Sequence, residues 1–312
     1  MKPLPLGTSR MAKTSGNSGV SLIAEPEVFN RQLLNWADAF LRDLPWRATR
    51  DPWSVLVSEV MLQQTQVSRV QPKYVEFLKL WPTPGHLANS ALADLLVFWV
   101  GLGYPRRARN LHSAARQIRD RHSGIVPSTV PELMELPGIG PYTARAVMAF
   151  AFEIKVGVVD TNVGRLMARW SGGTLKPRAA QRLADALVPP DDPWLWNQAL
   201  FDFAALVCTK KTPKCLECPV ASSCSWRGTG SDPASNSAGV TGKQNKFQGS
   251  DRQARGKLMQ GLAVGPIALA EAPAVMGLQD EPSRSDRLVH DLHSEGLITI
   301  CNGFLLLGDS LE

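Results

Sequence analysis

The sequence predicts an all-α domain, followed by a small module that combines helices with a β-hairpin. Helix-like segments follow one another from Glu27 to about Val207, and the one strand-like run there, Val156–Val159, is too short to found a sheet. A Gly/Ser/Asn/Thr-rich stretch over residues 228–250 then breaks the pattern and is typical of a linker. We therefore expect two units of different structural class, one on each side of this stretch.

The helical domain is expected over residues 26–207. It follows a Ser/Gly/Lys-rich extension, residues 1–25, which lacks periodicity and which we expect to be a disordered tail. Apolar residues then recur at helical spacing, for example at Leu33, Trp36 and Phe40. The predicted helices cover residues 27–43, 52–66, 70–79, 87–100, 106–121, 131–135, 142–153, 161–170, 178–187 and 194–207.

Residues 251–312 predict a winged-helix-like module of mixed α and β structure. Helices are expected over residues 252–262 and 285–295, the second with Ser285 as its N-cap and a glycine just past its end. A winged helix either binds DNA or only packs against its neighbour. The mixed charges of the second helix leave both alternatives open.

The hairpin of this module is predicted by Asn302-Gly303. This dipeptide is a strong turn signal, and it separates two apolar runs, residues 297–301 and 304–307. Cys301 lies in the first run, far from the other cysteines, and is expected to be a core residue.

Composition limits the class of protein. The chain has 312 residues, 44% of them apolar, and nine tryptophans, which is ample for a packed core. It has no apolar run of about 18 residues, which excludes a transmembrane helix. Met1–Ser15 lacks the apolar centre of a secretory signal, so we expect a cytoplasmic protein. The formal charge of +6 favours a polyanionic partner, although many basic proteins bind no nucleic acid.

Four of the five cysteines form a compact loop, residues 208–227, with the spacing C-x6-C-x2-C-x5-C. Four thiolates in so short a segment suit an iron–sulfur cluster or a structural metal ion. Two disulfides are the alternative, which reduced cytoplasmic thiols disfavour. Zinc ribbons usually have two facing C-x2-C pairs, and this loop has one, so the spacing favours a cluster over zinc. The four residues are Cys208, Cys215, Cys218 and Cys224.

A tight turn at Leu136–Gly140 joins two predicted helices. Gly138 and Gly140 leave backbone N–H groups accessible, and the following helix N-terminus adds a positive dipole, so the turn could bind a phosphate. An ordinary helix–helix turn explains the same residues equally well.

Two acidic residues occupy positions where they could act in catalysis. Glu59 interrupts an apolar run, residues 55–62, and is either on a narrow solvent stripe or buried, where its raised pKa would make it a proton donor. Asp160 precedes a predicted helix and is explained by N-capping, yet it could also stabilise a cation.

Two further segments suit contacts with DNA bases. Gln63–Gln66 is a run of four uncharged polar residues, which can bind base edges or enter a base stack. Tyr104 precedes three arginines within five positions, a combination that suits a strand with a displaced base but also occurs on ordinary surfaces.

The order of these motifs resembles the helix-hairpin-helix, iron–sulfur DNA glycosylases over roughly residues 27–227. The run SEVMLQQTQV, residues 58–67, is similar to the adenine DNA glycosylases of the MutY type. The resemblance implies a two-lobed helical fold with a 4Fe–4S cluster. It also implies a monomer that acts on double-stranded DNA and excises adenine mispaired with 8-oxoguanine or guanine.

The resemblance assigns catalytic roles to four matching positions. Glu59 matches the general acid that protonates adenine, and Asp160 matches the carboxylate that stabilises the sugar oxocarbenium ion. Tyr142 matches a tyrosine that supports this carboxylate chemistry, and Asn162 an amide close to the reacting sugar and water. Cleavage of an N-glycosidic bond does need both an acid and an anion.

Five positions match DNA-contacting residues of the same family. Trp46 and Arg47 resemble the pocket for the flipped adenine. Gln64 and Tyr104 resemble the residues wedged into the duplex, and Thr65 a contact to the opposite purine. Because the base must leave the stack before the reaction, both a pocket and a wedge are required.

One match and three departures from the MutY-type pattern bear on the activity. Pyrimidine glycosylases of the endonuclease III type carry a lysine where this chain has Tyr142, so we expect a monofunctional enzyme with little or no strand cleavage. Thr161 is typical of those pyrimidine relatives, and Pro105 replaces a common second tyrosine. The C-terminal module is too small for the Nudix-like domain of many MutY-type enzymes, which implies weaker dependence on 8-oxoguanine. The alternatives are a pyrimidine glycosylase and a non-catalytic iron–sulfur DNA-binding protein.

Overall fold

A computed structural model of the protein describes residues 26–237 and 246–308. The predicted tail, residues 1–25, and the middle of the predicted linker, residues 238–245, lie outside the described residues.

The first part of the chain is helical, as predicted. Its helices are α1 (Pro26–Phe40), α2 (Pro52–Leu62), α3 (Val67–Leu80), α4 (Pro84–Ala88), α5 (Leu92–Trp99), α6 (Arg106–Arg121), α7 (Val130–Met134), α8 (Pro141–Phe150), α9 (Thr161–Ser171), α10 (Pro177–Leu187) and α11 (Pro193–Leu206). No helix among the described residues has both the length and the apolar composition needed to cross a membrane.

The helices form two lobes, each with its own hydrophobic cluster. Helices α2–α8 surround the first cluster, which contains Leu56, Leu95 and Val147. Helix α1 packs with α9–α11 around the second cluster, in which Phe29 stacks edge-on against Trp170. From Pro26, the described chain therefore begins in the second lobe, crosses to the first before α2, and returns at Val158–Asp160.

Two predicted helices are shorter or divided in the structure. The segment predicted over 87–100 is two helices, α4 and α5, because the chain turns at Asn89–Ala91 between them. The segment predicted over 52–66 ends at Leu62, since Gln64 has a left-handed backbone with φ of 56°. The four polar residues after Leu62 consequently lie in and around a loop.

The C-terminal module has the element order of a winged helix. Its helices and strands are α12 (Asp251–Leu262), β1 (Ile267–Ala268), α13 (Ala272–Met276), α14 (Pro282–Ser294), β2 (Ile298–Cys301) and β3 (Phe304–Leu307). The strands form an antiparallel sheet in the order β1-β3-β2, and Cys301 pairs with Phe304 across the Asn302-Gly303 turn. The structure has the predicted hairpin, whereas β1 and α13 were not expected from the sequence.

Two residue-level predictions in the module are wrong. Cys301 is exposed, because it lies beside the hairpin turn, where Phe304 opposite it is also exposed. Ser285 is not an N-cap, because α14 begins three residues earlier at Pro282, whose fixed φ suits the first helical position. The Ser285 side chain is buried, and its hydroxyl contacts the sulfur of Met276 at 3.7 Å.

The module packs against the first lobe. Leu258, Leu292 and Leu305 of the module belong to the same hydrophobic cluster as the first-lobe helices. Where β3 ends, Gly308 lies so close to α5 that an added Cβ would be 3.0 Å from the backbone nitrogen of Ala93. The module and the first lobe therefore share one core.

The start of the predicted linker is packed rather than extended. Asp232 forms an ion pair with the buried Arg169 at 2.7 Å, and the Ser237 hydroxyl accepts a hydrogen bond from the Leu175 N–H at 3.0 Å. Residues 228–237 thus belong to the second lobe, because these two side chains find partners there.

We predict that the module and the helical domain unfold together. All nine tryptophans lie between Trp36 and Trp226, outside the module, so their fluorescence follows the helical domain. The substitution Leu292→Ala in the module removes a fully buried side chain of the shared core and should destabilise the protein by about 2–5 kcal/mol. The midpoint of the tryptophan transition in urea should fall accordingly. An unchanged midpoint would contradict the shared core, and the exposed Val264→Ala serves as the control.

Candidate active site

The Glu59 carboxyl group is buried near the C-terminal end of α2. Helix α2 is N-capped by Asp51 and packs against α8, which leaves the Glu59 residue 6% exposed. Burial raises the pKa of Glu59 to about 7, because the charged form loses its hydration. The Tyr142 hydroxyl lowers this pKa by hydrogen bonding, and the nearby charge of Asp160 raises it. Glu59 therefore retains a transferable proton near neutral pH.

Tyr142 stands at the second position of α8, directly after the Gly140-Pro141 start of that helix. Its hydroxyl is hydrogen-bonded to Glu59, and its pKa is raised well above 10 by burial and by the two carboxylates, Glu59 and Asp160. It is therefore a permanent neutral donor beside Glu59.

Asp160 is the N-cap of α9, at the point where the chain returns to the second lobe. One carboxylate oxygen accepts hydrogen bonds from the backbone N–H groups of Asn162 and Val163 at 2.8 and 2.7 Å. The other accepts from the Asn162 side-chain amide at 2.8 Å. These three donors and the helix dipole complement a negative charge at this position. Capping and electrostatic stabilisation of a cation are thus compatible in one residue.

Arg165 connects this carboxylate to the cysteine loop, a connection that the sequence analysis missed. Its guanidinium donates to the Asn162 side-chain oxygen at 2.9 Å and to the backbone carbonyl of Cys208 at 3.0 and 3.1 Å. A further bond reaches the Ala204 carbonyl at 2.8 Å. The only signal in the sequence was an arginine three positions after Asn162, on the same helical face.

The four clustered cysteines are free thiols that line one cavity. This cavity is also lined by Arg169 and Trp226, and none of the four cysteines forms a disulfide. Within residues 26–237 and 246–308, no three metal-binding side chains are close enough to hold a single metal ion. The four thiols thus share one cavity, and their sulfurs are the side-chain groups there that could hold a metal ion or cluster.

Donors already surround the thiols. The Arg169 guanidinium lies 3.4 Å from the Cys208 sulfur, and the Arg227 N–H lies 3.4 Å from the Cys224 sulfur. Burial raises the pKa of Cys218 to about 11. Uptake of a cofactor would therefore release protons and replace desolvated thiols with thiolates.

Trp46 and Arg47 lie in a short 3₁₀ turn before α2, and both are buried. Trp46 packs edge-on against Tyr74, with ring centroids 5.6 Å apart. Arg47 reaches across to α11 of the second lobe, where it pairs with Asp202 at 2.8 Å and with the Gln198 amide oxygen at 2.6 Å. Gln198 and Asp202 were not found by sequence analysis, because their only sequence context is an apolar helix.

Two loop residues predicted to enter the duplex have left-handed backbones. Gln64 and Tyr104 have φ of 56° and 51°, both are exposed, and neither is glycine. Such conformations cost about 1–3 kcal/mol and concentrate at functional sites. Both loops must therefore be held in place by their surroundings.

Arg107 holds the two loops together. It is 8% exposed, and its guanidinium donates to the carbonyls of Val60 and Met61, both at 2.8 Å, at the end of α2. It also donates to the carbonyls of the Tyr104 loop, Leu102 at 2.9 Å and Gly103 at 2.8 Å. From the sequence, this arginine belonged to a basic cluster that would face either DNA or solvent. In the structure it is buried, and burial lowers its pKa to about 10.

Thr65 is tied into the same arrangement. Its hydroxyl accepts from Arg107 at 2.9 Å and donates to the Leu102 carbonyl at 3.1 Å. The hydrogen bonds of this hydroxyl therefore lie within the protein, and the predicted contact between Thr65 and the opposite purine stays a prediction.

The Gly138 and Gly140 turn has a structural explanation at its first glycine. Gly138 has φ of 79°, and a Cβ there would lie 2.8 Å from the Asn110 side chain. Gly140 is the N-cap of α8 in an extended conformation. Phosphate binding by this turn stays a prediction.

The fold and the site define a base-excision DNA repair protein. Residues 57–190 match the family described as HhH-GPD superfamily base excision DNA repair protein. The chain is 41% identical over 285 residues to the adenine DNA glycosylase of Mycolicibacterium smegmatis, which covers 89% of this chain and 96% of that protein. It is 38% identical over 290 residues to the adenine DNA glycosylase of Mycobacterium tuberculosis, which covers 89% and 93%. The chain therefore belongs to the adenine DNA glycosylase family.

Solved structures agree on the fold of the helical domain. A thermostable thymine-DNA glycosylase is 32% identical with a TM-score of 0.63 and covers 65% of this chain and 96% of its own. A non-covalent complex of endonuclease III with DNA has a TM-score of 0.58 at 23% identity, covering 66% and 97%, and shows the fold alone.

We predict that Glu59→Gln stabilises the protein at high pH. Because the pKa of Glu59 is raised from 4.5 to about 7, the folded state holds its proton more tightly than the unfolded state, and stability falls as pH rises between these values. Above pH 7 this penalty reaches about 3 kcal/mol, and glutamine avoids it. Denaturant unfolding should show the variant to be more stable than wild type at pH 8 and not at pH 4. An advantage that does not vary with pH would contradict the raised pKa, and the exposed Glu271→Gln is the matched control.

Proposed function

We propose that this protein is a monofunctional DNA glycosylase that removes adenine mispaired with 8-oxoguanine or guanine. The observation that carries the proposal is the buried Glu59, whose pKa is raised to about 7 and whose carboxyl group is hydrogen-bonded to Tyr142 within electrostatic range of the Asp160 carboxylate. Membership of the adenine DNA glycosylase family supports adenine as the base. Double-stranded DNA is the partner, the protein acts as a monomer, and its reduced thiols suit the cytoplasm.

Glu59 acts as the general acid. Adenine leaves the base stack and enters the site, where Glu59 donates its proton to a ring nitrogen of the base. Protonation lets the base depart with the electron pair of the N-glycosidic bond. The resulting Glu59 carboxylate then accepts a proton from the water that attacks the sugar, so the group is restored at the end of the cycle.

Asp160 stabilises the positive charge that develops on the sugar. Its carboxylate is already oriented by three N–H donors, so little reorganisation is needed when the oxocarbenium ion forms. Asn162 holds one carboxylate oxygen, and Arg165 holds Asn162. These residues therefore set the position of the anion relative to the sugar.

Tyr142 argues for hydrolysis without strand cleavage. A lysine amine at this position could form a Schiff base with the sugar, but the Tyr142 phenol has no amine nitrogen and cannot. The chain would then release adenine and leave an intact abasic strand. A covalent DNA adduct trapped in high yield by borohydride would instead favour the pyrimidine glycosylase alternative.

We assign the DNA contacts to residues in the loops and turns around this site. Trp46 and Arg47 form one wall of the base pocket, and Gln64 and Tyr104 enter the space that the adenine leaves. The Gly138–Gly140 turn binds a phosphate through its backbone. Because residues 246–308 have a winged-helix rather than a Nudix-like architecture, we propose that dependence on 8-oxoguanine is weaker than in MutY-type enzymes that carry a Nudix-like domain.

The cysteine loop suits a 4Fe–4S cluster held by Cys208, Cys215, Cys218 and Cys224. The cluster would bring structural cross-linking to the loop, since glycosidic hydrolysis transfers no electron. The residues around it hold the loop to α9 through Arg165 and Arg169, and so support the position of Asp160.

Excision from labelled duplexes tests the proposal. Adenine opposite 8-oxoguanine, guanine or thymine is compared with an oxidised thymine, and Glu59→Gln is the catalytic control. We expect adenine release opposite 8-oxoguanine and guanine, reduced at least about a hundredfold in the variant. Release of oxidised thymine would favour the pyrimidine glycosylase, and release from no duplex would leave a DNA-binding protein.

The pH dependence of the single-turnover rate follows from Glu59. Since the acid form is active and its pKa is about 7, the rate should fall about tenfold per pH unit well above pH 7. Tyr142→Phe removes a hydrogen bond that lowers this pKa, so the descending limb should move to higher pH. An unchanged descending limb of the pH–rate profile would show that Tyr142 does not affect the pKa of the acid.

The proposed cluster is tested by the colour and the iron content of the purified protein. Protein purified without air should be brown, with broad visible absorption and about four iron atoms per chain. Cys218→Ser should lose this absorption, whereas Cys301→Ser, outside the loop, should keep it. Colourless protein with one zinc atom would contradict the cluster.

A further inference from the structure

Tyr104 is held from two sides, and one of them is the C-terminal module. Its ring lies 5.7 Å from the guanidinium carbon of Arg107, which is buried beneath the loop. Its hydroxyl accepts a hydrogen bond from Arg252 at 3.3 Å, and Arg252 is the second residue of α12. The two arginines are 145 positions apart in sequence, so only docking of the module brings them to one side chain.

Arg252 is itself oriented by the start of the module. Ser250 N-caps α12, and the neighbouring Asp251 pairs with Arg284 and Arg287 of α14 at 2.7 and 2.9 Å. The guanidinium of Arg252 lies 5.9 Å from the ring of Phe247. The helix that carries Arg252 therefore has a defined orientation toward the Tyr104 loop.

The docking contacts lie beside the same loop. The Glu295 carboxylate pairs with Arg255 of α12 and lies 3.9 Å from Arg106, and the Glu295 carbonyl accepts from Arg109 at 2.5 Å. Arg106 and Arg109 are in the first turn of α6, directly after the Tyr104 loop. These charged groups set the position of α12 relative to Tyr104 in addition to the shared core.

In a winged helix, α14 is the helix usually presented to DNA. Here its basic side chains form ion pairs within the protein. Both arginines of α14, Arg284 and Arg287, are paired with the acidic residues Asp251, Glu281 and Asp291. These ion pairs favour packing over DNA contact as the role of this module.

We propose that the C-terminal module is a positioning element for the wedge, in which Arg252 holds the Tyr104 hydroxyl so that the ring is ready to enter the duplex. The inference deepens the proposed function, since it rests on Tyr104 being the wedge. A left-handed tyrosine on a Gly-Leu-Gly loop relaxes to other conformations unless its surroundings restrain it. Restraint before binding lowers the entropy lost when the ring inserts, so it strengthens mismatch binding without acting on the chemical step.

A double-mutant cycle between Arg252 and Tyr104 tests the proposal. The variants are Arg252→Ala, Tyr104→Phe and the combination, with Lys257→Ala as the control that removes the same charge from the same helix. Lys257 points toward Gly277 rather than Tyr104. Mismatch binding is measured with the full-length protein, using 2-aminopurine beside the mispair to report insertion of the wedge.

We expect Arg252→Ala to weaken mismatch binding and the 2-aminopurine signal about three- to tenfold, with the single-turnover rate at saturating protein unchanged. Tyr104→Phe should lose the same amount, and the combination should lose no more than either single variant. Losses that add in the combination, or an equal loss in Lys257→Ala, would overturn the proposal in favour of plain electrostatic attraction.

Hydrogen exchange in the free protein separates this inference from the proposed function. Arg252→Ala should speed amide exchange in residues 101–104, and Lys257→Ala should not. Unchanged exchange in Arg252→Ala would overturn the positioning role even if adenine is excised. If wild type excises no adenine, the proposed function fails while the exchange result still decides whether the module restrains the loop.

Discussion

The arrangement of this site depends on one carboxyl group, that of Glu59, which is excluded from water. The pKa of Glu59 is raised to about 7 because α2 and α8 exclude solvent from the carboxyl group, and because its partner Tyr142 is neutral rather than cationic. A lysine or arginine in that position would favour the ionised form and abolish the proton. In the other lobe, the helix-capping Asp160 instead accepts hydrogen bonds from three N–H donors. The two-lobed fold is what allows one carboxyl group to be desolvated while the other is held by N–H donors.

Buried arginines hold the irregular segments around this pair. Arg107 joins the end of α2 to the Tyr104 loop, and Arg165 joins Asn162 to the Cys208 carbonyl. Arg169 donates to carbonyls of the cysteine loop and also pairs with Asp232. Arg47 connects the first lobe to α11. A guanidinium has five donors in a rigid plane, so one side chain satisfies several carbonyls that no helix or sheet can pair. Loops of this site are positioned by such residues rather than by regular secondary structure.

The C-terminal module extends the same arrangement. It shares its core with the first lobe, and its contacts converge on the start of α6 and on Tyr104. The mycobacterial relatives match 89% of the chain, which is more than the helical domain and cysteine loop contain, so the match reaches into this module. The module therefore restrains the Tyr104 loop through direct contacts as well as through the shared core.

Local chemistry in the sequence determined the helices, the close spacing of the four cysteines, the Asn302-Gly303 hairpin and the N-capping position of Asp160, because periodicity, spacing and turn residues act over a few positions. It did not determine which charged residues are internal: Glu59 fitted either a solvent stripe or a buried site, Arg107 belonged to a cluster predicted to face DNA or solvent, and Gln198 and Asp202 gave no signal. It also misjudged Cys301, since strand periodicity cannot show where a hairpin extends beyond its core. Tertiary structure decided these points. Desolvation, the pKa of Glu59 and the contact between Arg252 and Tyr104 all depend on which distant segments meet, and that is a property of the folded chain alone.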